Sequence, residues 1–450
     1  MKKIKFNSKE IKLNNNYQII VVGGGTAGST AAIAAARMGI KTLVIERGSA
    51  LGGSSTLGQV TPMMPVKIEG NPDSSAINKE IKSRLREQNA GGENGSQNDG
   101  WFNPEALKFI LEELYLEAGG DILYESTFVD SQSSEDKIEN IIAKNKSGLS
   151  AYQADYYLDC TGDAELAFSA AVPMQENKDE DYQAVSLRFI MDKIDLKKFT
   201  QFLESRGQNW GLEYPLIETA YSGDQNSILA DLFKDAQKNG FLKKDDLNYF
   251  QIFSIPGQND KMAFNCPEIP FKVDPLNARE RTGAYIEGRK MIKRLINFTR
   301  KYFPGFEEAE LSSQAELLGV RESRRIKGEY TFSLEDYQNR RKFEDAFASS
   351  AYPLDVHGRE LKLDKLEAGE YYQLPFRSLI PLKINNLLAA GRHISATFNG
   401  QSAIRIQPVV MASGEAAAIA AAIAIKEKKS LKEIKGREVK EIMLDWGADI

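Results

Sequence analysis

A glycine-rich turn between an apolar strand and an alanine-rich helix constrains this chain more than any other feature. Residues 17–22 read Tyr-Gln-Ile-Ile-Val-Val, an apolar run typical of a buried strand. The turn follows as Gly-Gly-Gly-Thr-Ala-Gly at residues 23–28, and alanine dominates residues 29–38, which favours a helix. A second apolar run, residues 40–45, ends at Glu46. Together these segments predict a β–turn–α–β unit.

The spacing Gly23-x-Gly25-x-x-Gly28 gives each glycine a separate physical role. Gly23 allows a tight turn, Gly25 lets the backbone approach a pyrophosphate, and Gly28 lets the helix pack closely on the strand. The free N–H groups at the helix N-terminus then face the phosphates. Glu46 is placed to accept hydrogen bonds from ribose hydroxyls, in FAD and NAD alike. The unit predicts a dinucleotide site in a Rossmann-like α/β fold, with a glycine turn in an unrelated α/β fold as the alternative.

Length and charge limit the classes of protein that fit. The chain has 450 residues, more than one ordinary core, so we expect two or three compact units. Hydrophobic residues are 42% and charged residues 27%, which is typical of globular proteins. The net charge is -5 and no dense basic stripe occurs, so nucleic acid is not an expected partner.

Cysteine and histidine are scarce, with two of each. Cys160 and Cys266 form no Cys-x-x-Cys, which argues against a flavin–dithiol reductase and against a zinc site, so we expect no metal. The N-terminal segment has no apolar signal core. The apolar run 409–425 contains Glu415 and is mostly alanine, so it indicates a buried helix rather than a membrane span. We expect a cytoplasmic protein with no membrane partner.

The two ends of the chain share a strand–glycine–helix texture that the middle lacks. Residues 121–160 alternate like a small β meander, and the apolar strand 386–390 leads to Gly391 and an alanine-rich helix at about 404–426. Residues 170–365 are richer in charged and aromatic side chains. The predicted organisation is a nucleotide-binding domain in two parts, 14–169 and 366–430, an inserted mixed α+β substrate or cap domain, 170–365, and a C-terminal tail, 431–450.

A polar, Gly- and Asn-rich stretch at residues 88–100 has two interpretations. It is a flexible surface connection or a lid over a site. A helix is predicted directly after it, from Asn103-Pro104 to about Ala118.

A second glycine loop distinguishes between FAD and NAD. Residues 51–56 read Leu-Gly-Gly-Ser-Ser-Thr, shortly after Arg47-Gly48, and here the chain resembles the FAD-binding flavoproteins related to glutathione reductase and fumarate reductase. The resemblance extends to Asp-Cys-Thr-Gly-Asp at 159–163 and to Asn-Leu-Leu-Ala-Ala-Gly-Arg at 386–392.

More narrowly, the chain resembles the bacterial FAD-dependent oxidoreductase family. The similar segments are 319–328, 372–381 and 391–397, and all similar segments together span residues 17–425. The motifs and the resemblance imply FAD contacts at Gly23, Gly25, Thr26, Ala27, Gly28, Glu46, Arg47, Gly52, Gly53, Ser54, Ser55, Thr56, Val129, Thr161, Gly162, Asp163, Gly391, Arg392, Ser402 and Gln407.

Two absences shape the expected chemistry. Fumarate-reductase relatives often tether the flavin through a histidine near the second glycine loop, but no histidine precedes His357, so we expect non-covalent FAD. Cys160 is a buried apolar residue beside the cofactor, or else a thioether link. No second G-x-G-x-x-G occurs, so we expect no NAD(P)H domain and a separate electron acceptor or donor.

Candidate chemistry is placed by position along the chain. In the flavoproteins that the chain resembles, the N-terminus of the C-terminal helix points at the pyrimidine side of the flavin, which implies that its positive end stabilises the anion formed on reduction. The alternative is an ordinary buried alanine-rich helix. His393 lies two residues after Gly391 and is the first candidate for a general acid or base, with a backbone-facing structural histidine as the alternative. His357 is a substrate ligand or a loop residue.

Arg321, Arg324 and Arg325 form a dense cluster. Such guanidiniums recognise an anionic group or the flavin edge, or they form an ion-pair network between domains; Arg321 and Arg324 are the catalytic candidates.

The sequence therefore predicts an FAD-dependent oxidoreductase that transfers a hydride between FAD and a small organic substrate. The substrate is unsaturated or hydroxylated, and the arginine cluster favours an anionic one. The alternatives are a non-redox flavoprotein, such as an isomerase or hydratase, and a protein in which the bound nucleotide is no redox catalyst. The sequence does not specify an oligomeric state, although compact flavoproteins of this size are often dimers, so a homo-oligomer is one outcome.

Overall fold

The computed structural model of the chain describes residues 10–64, 73–94, 98–176, 182–357 and 366–450. The strands are β1 (Lys12–Asn14), β2 (Ile19–Val22), β3 (Thr42–Ile45), β4 (Gly91–Asn94), β5 (Asn98–Phe102), β6 (Asp121–Leu123), β7 (Thr127–Ser134), β8 (Lys137–Asn145), β9 (Gly148–Tyr152), β10 (Tyr156–Asp159), β11 (Phe189–Asp192), β12 (Leu212–Glu213), β13 (Leu216–Tyr221), β14 (Phe250–Ile255), β15 (Gln258–Phe264), β16 (Glu310–Gln314), β17 (Ala346–Ser350), β18 (Tyr372–Pro375) and β19 (Leu387–Ala389). The α-helices are α1 (Thr26–Arg37), α2 (Ala76–Glu87), α3 (Pro104–Glu117), α4 (Glu165–Ser169), α5 (Leu196–Ser205), α6 (Ala230–Lys238), α7 (Ala278–Tyr302), α8 (Leu334–Gln338), α9 (Phe398–Ile404), α10 (Gln407–Glu427) and α11 (Gly436–Asp445). Short 3-10 helices cover Lys244–Leu247, Phe376–Leu379 and Leu431–Glu433.

A five-stranded parallel sheet forms the centre of the first unit. Its spatial order is β19–β10–β2–β3–β6, and all neighbouring strands run parallel. Strands β2 and β3 are buried along their whole length, which explains their continuous apolar runs, because a parallel sheet is covered on both faces. The turns after β2, β3, β10 and β19 all lie at the carboxyl edge of this sheet. The predicted Rossmann-like α/β fold class is confirmed.

Small residues let helices α1 and α10 approach each other closely. A Cβ added at Gly414 would lie 2.1 Å from the Ala27 carbonyl oxygen, and Thr30 Oγ1 donates a hydrogen bond to the Met411 carbonyl at 2.9 Å. Among the described residues, α10 is the one helix whose length and apolar composition would suit a membrane span, and 94% of its most apolar stretch is buried in the protein. This helix forms part of the core of the first unit.

The β meander lies beside the parallel sheet. Strands β7, β8 and β9 pair antiparallel, and β1 adds a parallel strand at the edge, a strand that the sequence analysis did not predict. The polar stretch 88–100, predicted as a flexible connection or a lid, contains an antiparallel hairpin of β4 and β5. Residues 95–97 of that stretch lie outside the described residues.

The second unit is a six-stranded antiparallel sheet covered by helices. Its spatial order is β12–β13–β14–β15–β11–β16. Aromatic side chains fill the space between the sheet and α5, α6 and α7; for example, the rings of Phe189 and Phe264 stack with centroids 4.2 Å apart. Residues 276–302 have an amphipathic pattern typical of a long helix, and α7 covers most of them.

The two apolar cores divide the chain differently from the predicted boundaries. The core of the second unit runs from Val185 to Leu318. Phe332, Tyr337 and Phe347, assigned by the sequence to the insertion, pack in the core of the first unit. The predicted limit at residue 365 therefore does not coincide with the end of the second core, and the domain boundaries remain predictions.

Candidate functional site

A cavity of about 430 Å³ lies at the carboxyl edge of the parallel sheet, between the first unit and the six-stranded sheet. The sequence-predicted residues that line it are Gly23, Gly25, Thr26, Ala27, Glu46, Arg47, Gly53, Ser54, Thr161, Gly162, Asp163, Arg321, Gly391, Arg392 and Gln407.

The glycines of the first turn differ in what surrounds them. Gly23 has a φ of +93°, and a Cβ there would lie 2.7 Å from the Cys160 carbonyl oxygen. A Cβ on Gly28 would lie 1.8 Å from the Gly23 carbonyl oxygen. A Cβ on Gly25 would meet nothing closer than that Cys160 oxygen, at 4.0 Å. The turn and the helix packing thus need Gly23 and Gly28, whereas Gly25 leaves open space on the cavity side.

The Glu46 carboxylate is held at the cavity wall by backbone amides. Gly24 N donates to its Oε2 and Gly48 N donates to its Oε1, each at 2.6 Å. These bonds fix the direction of the carboxylate, and each oxygen keeps a lone pair for a further donor.

The second glycine loop is tied to α1 and α10 through hydroxyl groups. Thr26 Oγ1 lies 3.0 Å from the hydroxyl oxygens of both Ser54 and Ser55, and Ser55 donates to Gln407 Oε1 at 2.9 Å. Ser54 lines the cavity, whereas Gly52, Ser55 and Thr56 do not. The last two are buried, so they support the loop from behind.

An ion pair closes the turn after β10. Arg392 Nη2 lies 2.5 Å from Asp163 Oδ1, which also accepts a hydrogen bond from the Ser323 hydroxyl at 2.6 Å. Burial by itself would raise the pKa of Asp163, but the charge of Arg392 and these hydrogen bonds outweigh it and hold the pKa below its usual value. The carboxylate therefore stays ionised and fixes Arg392 at the cavity wall.

The N-terminus of α10 opens on the cavity. The sequence predicted one helix over 404–426, but Arg405 and Ile406 separate α9 from α10, which begins at Gln407. No side chain caps this terminus, and Ile406, Gln407 and Val410 line the cavity. Its free N–H groups and positive dipole end are available to an anionic or carbonyl group.

His393 does not line this cavity, although its place after Gly391 predicted that it would. Its side chain is fully buried, and Nε2 lies 3.1 Å from the Asp159 carbonyl oxygen. Burial lowers the pKa of the ring, which favours a neutral imidazole. The histidine packs behind the turn after β19, because the chain direction there carries the ring away from the open space.

The other predicted residues outside the cavity wall have clear positions. Val129 is 52% exposed on β7, whereas the preceding residues Thr127 and Phe128 line the cavity. Ser402 is buried and donates to the Asn399 carbonyl at 2.7 Å. Arg324 lies outside the cavity wall, with its guanidinium 4.1 Å from the ring centroid of Phe168.

A group of charged side chains on the opposite wall was only partly predicted. Arg321 Nη2 lies 3.0 Å from Glu268 Oε1, and Arg405 Nη2 lies 2.8 Å from Asp355 Oδ2. His357 lies between these pairs, with Nδ1 at 2.5 Å from Glu268 Oε1 and Nε2 at 3.0 Å from Asp355 Oδ1. Burial would raise the pKa values of both carboxyls, but the histidine and the arginines hold them below their usual range.

A polar triad lies beside this charged group, at the start of β14 and directly after β15. Tyr249 donates its hydroxyl proton to Gln251 Oε1 at 2.5 Å, and Asn265 Nδ2 donates to the same oxygen at 2.8 Å. All three side chains line the cavity, and burial raises the pKa of Tyr249 above its usual value. The phenol therefore stays protonated at neutral pH.

The sequence analysis missed Arg188, Tyr249, Glu268 and Asp355. One signal for Arg188 was present: residues 185–191 read Val-Ser-Leu-Arg-Phe-Ile-Met, so a single charge interrupts an apolar strand. The others come from separate elements and are brought together only by the fold.

Comparison with known proteins gives a family match along nearly the whole chain. A family model described as FAD dependent oxidoreductase matches residues 18–443.

Local sequence similarity links the chain to two digeranylgeranylglycerophospholipid reductases. The protein of Picrophilus torridus is 36% identical over 93 residues, which is 18% of this chain and 23% of that protein. The protein of Thermoplasma volcanium is 27% identical over 161 residues, 32% of this chain and 39% of that protein. The chain thus spans well under half the length of these curated relatives.

The chain is also similar in structure to a geranylgeranyl bacteriochlorophyll reductase-like protein of Thermoplasma acidophilum. The TM-score is 0.49 at 13% sequence identity, with 96% of this chain and 84% of that chain covered.

Proposed function

Because this chain belongs to the FAD-dependent oxidoreductase family, we propose that it transfers a hydride between non-covalently bound FAD and a small unsaturated or hydroxylated organic substrate. One observation carries the proposal: a single cavity runs from the first glycine turn, at Gly25, to the charged wall that holds Arg321 and His357. A substrate at the charged wall would therefore lie next to a cofactor at the glycine turn.

The residues of the first unit fit FAD. The open face at Gly25 accommodates a pyrophosphate, and the uncapped N-terminus of α10 accommodates the electron-rich pyrimidine edge of a flavin. Gly25, Thr26 and the N-terminus of α1 would hold the pyrophosphate, Glu46 the ribose, and Gln407 the pyrimidine side. When bound, the flavin supplies the group that accepts or gives the hydride.

The thiol of Cys160 supports non-covalent binding. Cys160 lines the cavity, but burial raises its pKa well above the usual value, so the sulfur stays a thiol. A thiol is a weaker nucleophile than a thiolate and does not favour attack on the ring system of the cofactor.

His357 replaces His393 as the best-placed histidine for proton transfer. Its ring lines the cavity, whereas the ring of His393 is buried behind it. Contacts with Glu268 and Asp355 orient the ring of His357. We assign it the role of holding a proton at the substrate end of the cavity.

The remaining partners follow from the sequence. No second dinucleotide fingerprint is present in the sequence, so we infer that the electrons reach or leave the enzyme through a separate acceptor or donor. We place the enzyme in the cytoplasm. The names of the two local relatives do not indicate a lipid substrate for this chain, because the alignments cover only 18% and 32% of it.

The second candidate function is an isomerase or hydratase with bound FAD and no net redox reaction. The proton-holding His357 beside two carboxylates suits such chemistry as well, because addition and removal of protons are common to both.

An anaerobic spectrophotometric experiment separates the two functions. The purified yellow protein is mixed with panels of small alcohols and reduced compounds, and the loss of the flavin absorbance is followed. Bleaching supports the oxidoreductase. Product formed without bleaching and without an acceptor supports the isomerase or hydratase. Colourless protein with bound NAD would contradict both.

A further inference from the structure

We propose that Arg188 binds a carboxylate group of the substrate, so that the substrate class is a small carboxylic acid. The proposal deepens the proposed function, since it assigns the substrate of that same cavity, and it rests on four observations of the cavity wall.

The backbone of Arg188 is held rigidly. The residue directly precedes β11, which pairs with β15 on one side and β16 on the other. Its carbonyl oxygen accepts a hydrogen bond from Ala315 N at 3.0 Å. The side chain lines the cavity, so a central strand of the second unit presents the guanidinium to the ligand space.

The guanidinium has no protein partner within the part of the chain that the structure describes. Its Nε is buried and makes no hydrogen bond, and no ion pair forms with a carboxylate. Burial lowers the pKa of Arg188 to about 10, which still leaves the side chain protonated at neutral pH. A buried charge without a partner is costly, and an anion in the cavity would remove that cost.

The neighbouring arginines are already paired. Arg321 faces Glu268 at 3.0 Å and Arg405 faces Asp355 at 2.8 Å. Arg188 differs from both, because it faces no carboxylate of the described residues.

The surroundings suit the rest of such a molecule. Leu317 and Leu318 line the cavity as apolar side chains, and Gln251 and Asn265 line it as hydrogen-bonding side chains. A guanidinium offers two parallel N–H groups that match the two oxygens of a carboxylate. This combination favours a short carbon skeleton with one carboxylate end.

The test measures binding, not turnover. The FAD-loaded enzyme is titrated with two matched pairs of probes, benzoate with benzamide and crotonate with crotonamide, by calorimetry and by the perturbation of the flavin spectrum. We expect each carboxylate to bind at least about tenfold more tightly than its amide, as one charge-assisted contact predicts.

Substitutions test whether Arg188 causes the preference for the carboxylate over the amide. Arg188→Met should remove the preference for the carboxylate, and Arg188→Lys should keep part of it. Arg289→Met, an exposed arginine on α7, is the matched control and should leave the preference intact. FAD content and melting temperature check the fold, and the wild-type comparison stands even if Arg188→Met does not fold.

Three results would overturn the proposal. They are equal binding of acid and amide to the wild type, an unchanged preference in Arg188→Met, and tighter binding of inorganic phosphate than of either carboxylate. If carboxylates do not bind but the flavin is still reduced by another substrate, this inference fails while the proposed function stands. If instead the enzyme prefers carboxylates but no substrate reduces its flavin, this inference stands while the proposed function fails.

Discussion

Gly28 lies directly against the carbonyl oxygen of Gly23: a Cβ added to Gly28 would stand 1.8 Å from that oxygen. Three residues earlier the situation is reversed, because the atom nearest to a Cβ on Gly25 would be the Cys160 carbonyl oxygen, 4.0 Å away. The two glycines of one motif are thus required for different reasons. Gly28 is required for the packing of α1 on β2, and Gly25 is required for the binding of a ligand.

Substitution of Gly25 should separate folding from cofactor binding. We expect Gly25→Val to fold with a melting temperature of the FAD-free protein close to that of the wild type, but to purify without FAD, because the side chain fills the space for the pyrophosphate. Gly28→Ala is the matched control and should lower the melting temperature of the FAD-free protein. FAD content after purification and thermal melts measure both effects. Normal FAD loading in Gly25→Val would contradict the assignment of the turn.

The sequence predicted the cofactor half of the site well because that half is local. Gly23, Gly25 and Glu46 lie within one β–turn–α–β unit, so spacing alone determines their geometry. The substrate half is not local: Arg188, Glu268 and His357 come from three separate segments that only the fold brings together. His393 shows that even a local motif has a limit, because a position close to Gly391 does not determine the direction of the side chain.

The sequence analysis also predicted α9 and α10 as one helix. Residues 404–426 read as one alanine-rich segment, but Pro408, the second residue of α10, is a sequence signal for a helix start. The carbonyl and carboxylate of Asp355 hold Arg405 in place, each at 2.7–2.8 Å from Nη2, and these contacts come from a distant segment. The helix start is therefore marked locally by Pro408, whereas the preceding Arg405 is held by tertiary contacts.

The flavin should be released by acid. Because the Cys160 thiol stays protonated and no histidine lies in the second glycine loop, precipitation with trichloroacetic acid should leave a white pellet and a yellow supernatant. Cys160→Ala should behave in the same way. A wild-type pellet that remains yellow, together with a white pellet from Cys160→Ala, would show a thioether link instead.

The two histidines should differ in their effect on flavin reduction. His357→Gln should slow anaerobic flavin reduction by the substrate by about a hundredfold, the lower end of what a positioned acid or base contributes. His393→Asn should lower the melting temperature and keep the reduction rate per bound flavin within a factor of about two, because its ring does not line the cavity. Stopped-flow spectroscopy measures both rates, and the reverse ranking would return the catalytic role to His393.

Buried Glu415 should make stability fall as the pH rises. Burial raises its pKa to about 7 from an ordinary value of 4.5, although its Oε2 accepts a hydrogen bond from Ser75 Oγ at 2.7 Å. Between these two pH values the folded protein binds more protons than the unfolded chain, so the free energy of unfolding decreases with pH, by up to about 3 kcal/mol.

Glu415→Gln should remove this decrease. The amide oxygen can still accept from Ser75, so we expect the variant to be more stable than the wild type at pH 8 and not at pH 4.5. Glu113→Gln, an exposed position on α3, is the control and should follow the wild-type profile. Chemical denaturation over this pH range measures the difference. Parallel profiles for the wild type and Glu415→Gln would show that Glu415 does not titrate in this window.

The most direct test of the central claim is an anaerobic stoichiometric titration of the flavin with its substrate. The FAD of the purified enzyme is first photoreduced with EDTA as the electron donor, and unsaturated monocarboxylic acids are then added in known amounts without any nicotinamide. Direct hydride exchange predicts that one substrate molecule re-oxidises one flavin and yields one saturated product, or that the saturated or hydroxylated partner bleaches the oxidised enzyme with the same stoichiometry. A flavin that exchanges electrons with no small organic molecule, and changes colour only with NADH or NADPH, would contradict it.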